Sequence, residues 1–248
     1  MNTPKNIVVL YDWTGTVAIS ELFNSLEQCL EDFWLLLKTD GVLKNNTKQS
    51  NYKSLSLDNC IGSNKLEVYG SLKSKKDIRS SSAYLFYEQS EISTIILCGE
   101  LLLIESVFGW LKKLSETITI EYGYMNDCSV SSNAVLEAFG VTFGYPKTNE
   151  EEKKAKQDSR WFEERLYLSG KRRMRHLNGL FRAIYKVNFI NDQHLLLKID
   201  GSSLRHHLEV NPIYGKLFCL KNGSYIWVVP PMYLDRVRGQ VESAGGLI

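Results

Sequence analysis

Apolar and polar positions along this chain follow two periods, and the periods divide it into elements. Residues 7–11 are a short apolar run that predicts a first strand. From Ile19 the apolar residues fall three and four apart: Ile19, Leu22, Phe23, Leu26, Leu30, Phe33, Trp34 and Leu37. That spacing puts them on one wide helical face and predicts one helix packed on a sheet, with Gly41 as its stop. Residues 44–53, rich in Asn, Lys and Ser, read as a surface loop. Strand-like runs follow at 53–57 and 65–70. Runs 83–87 and 93–98 then flank the polar stretch Glu88-Gln89-Ser90-Glu91 and predict an antiparallel hairpin.

A second helix is predicted over 101–116, with Leu103, Val107, Trp110, Leu111 and Leu114 on one face. A strand over 118–124 and a short helix over 130–139 come next. Residues 147–160 are almost wholly charged or polar. Their glutamates lie four ahead of lysines, as in a solvated connecting helix. Beyond it, Leu204, Leu208 and Val210 mark a short helix begun by Ser202 or Ser203. Two apolar runs, 216–220 and 224–229, are separated by Lys221-Asn222-Gly223. Asn-Gly between such runs is a strong hairpin signal, because both residues tolerate positive φ. A last helix carries Tyr233, Leu234, Val237 and Val241. Hairpin-linked strands mixed with helices, without steady strand–helix alternation, predict an α+β fold: antiparallel sheet with helices packed on one face. The polar hinge divides it into halves of similar size, 1–146 and 147–248, packed as one globular unit.

Composition narrows the function classes. The chain has 248 residues, 44% hydrophobic and 23% charged, which is ordinary for a globular protein with a good core. Its net charge of +2 lacks the basic excess of a general nucleic-acid or membrane binder. The start shows no secretory signal, and no apolar run approaches the ~20 residues of a membrane helix. A cytoplasmic protein is the expectation. Cys29, Cys60, Cys98, Cys128 and Cys219 are odd in number and scattered, as reduced thiols are. No CxxC pair occurs, and neither a metal nor a cofactor is expected.

Two segments suggest chemistry. In Tyr11-Asp12-Trp13-Thr14-Gly15-Thr16 an apolar strand runs into Asp-x-Thr-Gly-Thr. This resembles motif one of the haloacid dehalogenase-like hydrolases, and Thr14 gives it the form found in P-type ATPases. The resemblance implies Asp12 as nucleophile, Thr14 in the general-acid position and Mg²⁺ as charge neutraliser. Gly123-Tyr124-Met125-Asn126-Asp127 is similar to the family's metal loop, with Tyr124 in place of its first Asp and Asp127 retained. The strand at 95–98 ends in Gly99-Glu100, where that family keeps a hydroxyl. Read without the resemblance, Asp12 is a polar turn residue between the first strand and the first helix.

A longer series of features, from about residue 20 onward, is similar to the type VI secretion immunity-like family. It comprises Glu31-Asp32-Phe33-Trp34 in the first helical region, Glu121-Tyr122-Gly123-Tyr124 at the end of a strand, and the Tyr-x-x-Asn segment Ile184-Tyr185-Lys186-Val187-Asn188-Phe189. His194-Leu195-Leu196, Gly201, Leu204, the Asn222-Gly223 hairpin and the closing helix complete it. The resemblance implies a bacterial, non-enzymatic protein that binds and neutralises a cognate toxin. A cytoplasmic location would point to a nuclease or a nucleotide-attacking toxin over a wall hydrolase. Such a protein needs rigid aromatic or Arg anchors ringed by polar groups. Trp161, Arg172, Arg173 and Arg175 are the candidates. The run Lys171–His176 also reads as a charged solvated face, or as a patch for RNA in an adaptor protein. His206-His207 read as surface residues, and Phe181, Tyr185 and Phe189, four apart, as core.

Overall fold

The computed structural model describes residues 5–14, 17–40, 42–44, 52–54, 60, 65–70, 83–88, 94–128 and 179–247. The predicted helix at 130–139, the hinge at 147–160, Trp161, Arg172, Arg173 and Arg175 lie outside them.

β1 (Lys5–Thr14), β2 (Val42–Lys44), β3 (Tyr52–Ser54), β4 (Lys65–Gly70), β5 (Ala83–Glu88), β6 (Thr94–Gly99), β7 (Thr119–Cys128), β8 (Val187–Asn191), β11 (Lys216–Cys219) and β12 (Ser224–Val228) form one sheet. Its strand order is β11-β12-β8-β7-β1-β6-β5-β4-β2-β3. Every described pair in it is antiparallel. The two short strands β9 (Lys198–Ile199) and β10 (Ser202–Ser203) form a separate ribbon, turned at Asp200 and Gly201, which take φ of 48° and 83°. The fold is α+β, and the large sheet passes without a break from the N-terminal strands into the C-terminal ones.

The alternation of side chains assigns the two faces. Val8, Leu10, Leu85, Leu97, Met125, Phe189 and Ile226 turn to the first face. There they meet α1 (Ile19–Cys29), α2 (Glu31–Asp40) and α3 (Ile104–Leu114) through Leu22, Leu26, Phe33, Trp110 and Leu111. Ser25 ties α1 to α3: its Oγ donates to the Leu22 carbonyl and accepts the Trp110 indole N–H at 3.0 Å. On the second face, Ile190 and Trp227 are buried with Leu195, Leu204, Val237 and Val241. These come from α4 (Asp192–Leu195), α5 (Leu204–Val210) and α6 (Leu234–Ser243).

Several expectations are corrected. The apolar stripe from Ile19 to Leu37 is two helices, not one. Leu30 leaves helical geometry at φ −126°, ψ 49°, and Glu31 and Asp32 then favour the positive N-terminal end of a new helix. Asp12 is not a turn residue: β1 runs on through it to Thr14, because Trp13 pairs with Ile120 and is buried in the core. The two ends of the stretch read as a loop belong to the sheet: Lys44 pairs with Tyr52 and Leu43 with Lys53, while 45–51 lie outside the described residues. Leu103 is not on the buried face of α3. It is the extended residue before the helix and is exposed.

The Asn222-Gly223 hairpin matches its prediction, with φ of 57° and 72°. Its loop docks on the end of α3, where Asn222 Nδ2 donates to the Ser115 carbonyl at 3.0 Å. Ser203 caps α5, accepting the His206 N–H at 3.2 Å.

Candidate functional site: a pinned strap carrying Arg182

The segment 180–185 precedes β8 and has no regular structure of its own, yet its backbone is bonded at each residue. The His194 ring, itself fully buried, links Asn191 Oδ1, 2.7 Å from Nδ1, to the Leu180 carbonyl, 3.1 Å from Nε2. Phe181 N–H donates to the Gly246 carbonyl at 2.7 Å. The Tyr122 hydroxyl accepts the Arg182 N–H at 3.1 Å and donates to the Ala183 carbonyl at 3.4 Å. Arg238 donates to the Ile184 carbonyl at 2.9 Å. Buried Asn188 closes the strap by bonding both backbone groups of Tyr185: Oδ1 accepts its N–H at 2.9 Å and Nδ2 donates to its carbonyl at 2.8 Å. The Tyr-x-x-Asn spacing thus has a local physical cause.

The strap delivers Arg182 to the second face of the sheet, among tyrosines from β1 and β7. Arg182 Nη1 donates to the hydroxyls of Tyr11 at 3.0 Å and Tyr124 at 2.8 Å. Its guanidinium carbon lies 5.5 Å from the Tyr124 ring centre, within cation–π range. Tyr185 stacks on Tyr124 with centroids 3.9 Å apart, and Tyr11 lies parallel to Tyr122 at 6.0 Å. Tyr122 in turn faces His194 at 5.5 Å. Asn191 extends the network to β7, its Nδ2 donating to Glu121 Oε2 at 2.7 Å.

Burial dominates the electrostatics here. It pushes the Tyr11 phenol up to about 12, against the opposing pull of Arg182, and it raises Tyr122 as well. Burial pulls Arg182 down, but the surrounding tyrosines outweigh it, so the guanidinium stays charged. A phenol whose pKa is raised by folding contributes stability that is complete below its ordinary value of 10. That contribution is lost as the pH climbs from 10 through 12. An alkaline titration followed by phenolate absorbance should therefore show Tyr11 and Tyr122 ionising late, with unfolding. Smooth titration of every tyrosine near pH 10 would contradict the buried cluster.

The chemistry expected from the sequence is not brought together. Asp12 lies toward the end of β1, whereas Asp127 sits across from Asn6 near its start, where it pairs with Lys186. Six residues of strand separate the two positions by roughly 20 Å. Thr14 is farther still from Asp127, opposite Thr119. β1 and β7 are moreover antiparallel, whereas an Asp-nucleophile pocket of the haloacid dehalogenase type would stand at the ends of parallel strands. His207 bonds the Ile199 carbonyl at 2.8 Å and stacks on Tyr214, while His206 is exposed. Among the described residues, no group of three or more His, Cys, Asp or Glu is placed to hold a metal ion. Cys29, Cys60, Cys98 and Cys219 are free thiols. Sequence reasoning missed Arg182. The signal within reach was Tyr122-Gly123-Tyr124, whose period of two puts both rings on one face.

No described helix is long and apolar enough to cross a membrane. No family model matches the chain, and no curated protein matches it. Among solved structures, the type VI secretion protein PA0821 of Pseudomonas aeruginosa is similar in fold, with a TM-score of 0.57 at 10% identity. The likeness covers 97% of this chain and 73% of that one.

Proposed function

We propose that this chain is an immunity protein that binds and neutralises a cognate effector of a type VI secretion system. The observation that carries the reading is the fold likeness to a type VI secretion protein over 97% of the chain. The series of segments that resembles the immunity-like family supports it. Those segments have defined places in the fold: Tyr122 and Tyr124 hold Arg182, Asn188 closes the strap, and Gly201 turns the β9–β10 ribbon. Buried bracing of this kind makes the scaffold rigid, and a rigid scaffold loses little ordering entropy on binding, which favours tight inhibition without catalysis. The wide separation of Asp12 from Asp127 speaks for the non-enzymatic reading over the phosphohydrolase. Trp161, Arg172, Arg173 and Arg175 are retained as proposed anchors, with the cytoplasm as the proposed place of encounter.

The test is protection in growing cells. The effector encoded beside this chain is expressed alone and together with it. Co-expression should restore growth, and Asp12→Asn should protect as fully as the unaltered chain. An effector that remains toxic beside the unaltered, soluble chain would refute the reading.

A further inference from the structure

β11 is a terminal strand of the sheet, and the hydrogen-bonding phase of its neighbours identifies which of its backbone groups face outward. Leu220 N–H donates to the Ser224 carbonyl at 2.9 Å, and Val229 N–H donates to the Lys186 carbonyl at 2.9 Å. Even-numbered residues of β12 therefore bond to β11, and odd-numbered ones bond toward β8. With Phe218 opposite Ile226 and Lys216 opposite Val228, those two residues use their backbone groups inward. Leu217 and Cys219 point theirs away from the sheet, and no described strand pairs with them. Proteins blunt such edges with prolines, bulges or runs of charge. Within β11 only Lys216 does so, and Phe218 is 43% exposed beside it.

A cleft of about 400 Å³ runs along this edge, between α5 and β11, lined by Arg205, Leu208, Glu209, Leu217 and Phe218. A helix flanking a free strand edge is the arrangement by which extended peptides are taken up: the backbone adds to the sheet and a side chain enters the cleft. Arg205 is engaged by Asp192 at 2.9 Å, whereas Lys216 makes no ion pair among the described residues. Lys216 is the one charge on β11, so the β11 of a second copy would bring another positive charge to this edge, whereas an acidic segment would bring the opposite one. The same edge suffices as one element of a larger heterologous contact.

We propose that an extended segment of the effector adds as a strand to β11. It would place an apolar side chain in the cleft beside α5 and an acidic one against Lys216. This rests on the immunity reading above.

The test uses the full chain and the effector encoded beside it. Cys219→Pro removes one outward N–H without breaking an internal rung, and Cys219→Ala changes the side chain while keeping that N–H. The expected result is at least about 30-fold weaker binding for Cys219→Pro and a change of less than about threefold for Cys219→Ala. Hydrogen exchange on the unaltered complex should show the Leu217 and Cys219 amides newly protected, and this decides the matter should Cys219→Pro not fold. Unchanged binding by folded Cys219→Pro, or unprotected amides in a complex that does form, would overturn the strand addition and leave the immunity reading standing. A folded chain that does not bind the effector would end the immunity reading, and this inference with it.

Discussion

Replacing Gly123 with alanine is expected to destabilise the protein by at least about 3 kcal/mol, the upper range for forcing atoms into a packed interior. A Cβ at this position would lie 2.4 Å from the Val9 carbonyl oxygen, 2.8 Å from Phe189 Cδ2 and 3.0 Å from Leu10 Cδ2. The first of these is backbone of the neighbouring strand and cannot turn aside. Relief requires β1 and β7 to separate, in the pair that holds Tyr11 beside Tyr122 and Tyr124. Thermal denaturation should show the loss as a Tm lower by roughly 6–12 °C. Adding Phe189→Leu should rescue little of it, since the Val9 oxygen stays in place. A Gly123→Ala protein as stable as the unaltered chain would show that the two strands are not so closely apposed.

Arg182→Met is the second large effect, at about 3 kcal/mol, measured by denaturant unfolding. Methionine keeps much of the length and the apolar stem but leaves the Tyr11 and Tyr124 hydroxyls without the donor that reaches both. Losing a charged donor shared by two buried hydroxyls leaves their desolvation cost in place, which is why removing it costs more than an average hydrogen bond. Arg182→Lys preserves the charge but not the planar fork, so it should recover only part of the loss. Equal stability of Arg182→Met and the unaltered chain would show that the tyrosines are satisfied without the guanidinium.

The parts of this fold that were legible in the sequence are those determined by near neighbours. Asn222-Gly223 accepts positive φ, so the C-terminal hairpin follows from two residues. The three-and-four spacing of Val107, Trp110, Leu111 and Leu114 fixes the buried face of α3, and Ser203 marks the start of α5. Elements set by distant partners were not legible. β2 is three residues long and exists because β3 and β4 flank it. The break at Leu30 leaves the apolar period intact, and its sole local trace is the acidic pair that follows. The end of β1 was hidden by the turn-like composition of Asp12 and Thr14, while Trp13 opposite Ile120 carries the strand onward.

The candidate site is a more extreme case of the same rule. Tyr11, Tyr122, Tyr124, Arg182 and Tyr185 come from three separate stretches of chain, and their hydrogen bonds span as many as 171 positions. No local pattern encodes such a meeting. Asp12 illustrates the converse: a motif with a sound local rationale needs partners at the same sheet end, and Asp127 lies at the other end of the ladder.

The proposed function requires that this chain bind an effector of a type VI secretion system. The most direct measurement is a calorimetric titration of the purified chain with the effector encoded beside it. The prediction is a saturable one-to-one complex with a Kd of about 10 nM or tighter, close to −11 kcal/mol. The absence of both heat and co-elution with each protein at about 10 μM, roughly a thousand times that Kd, would contradict it.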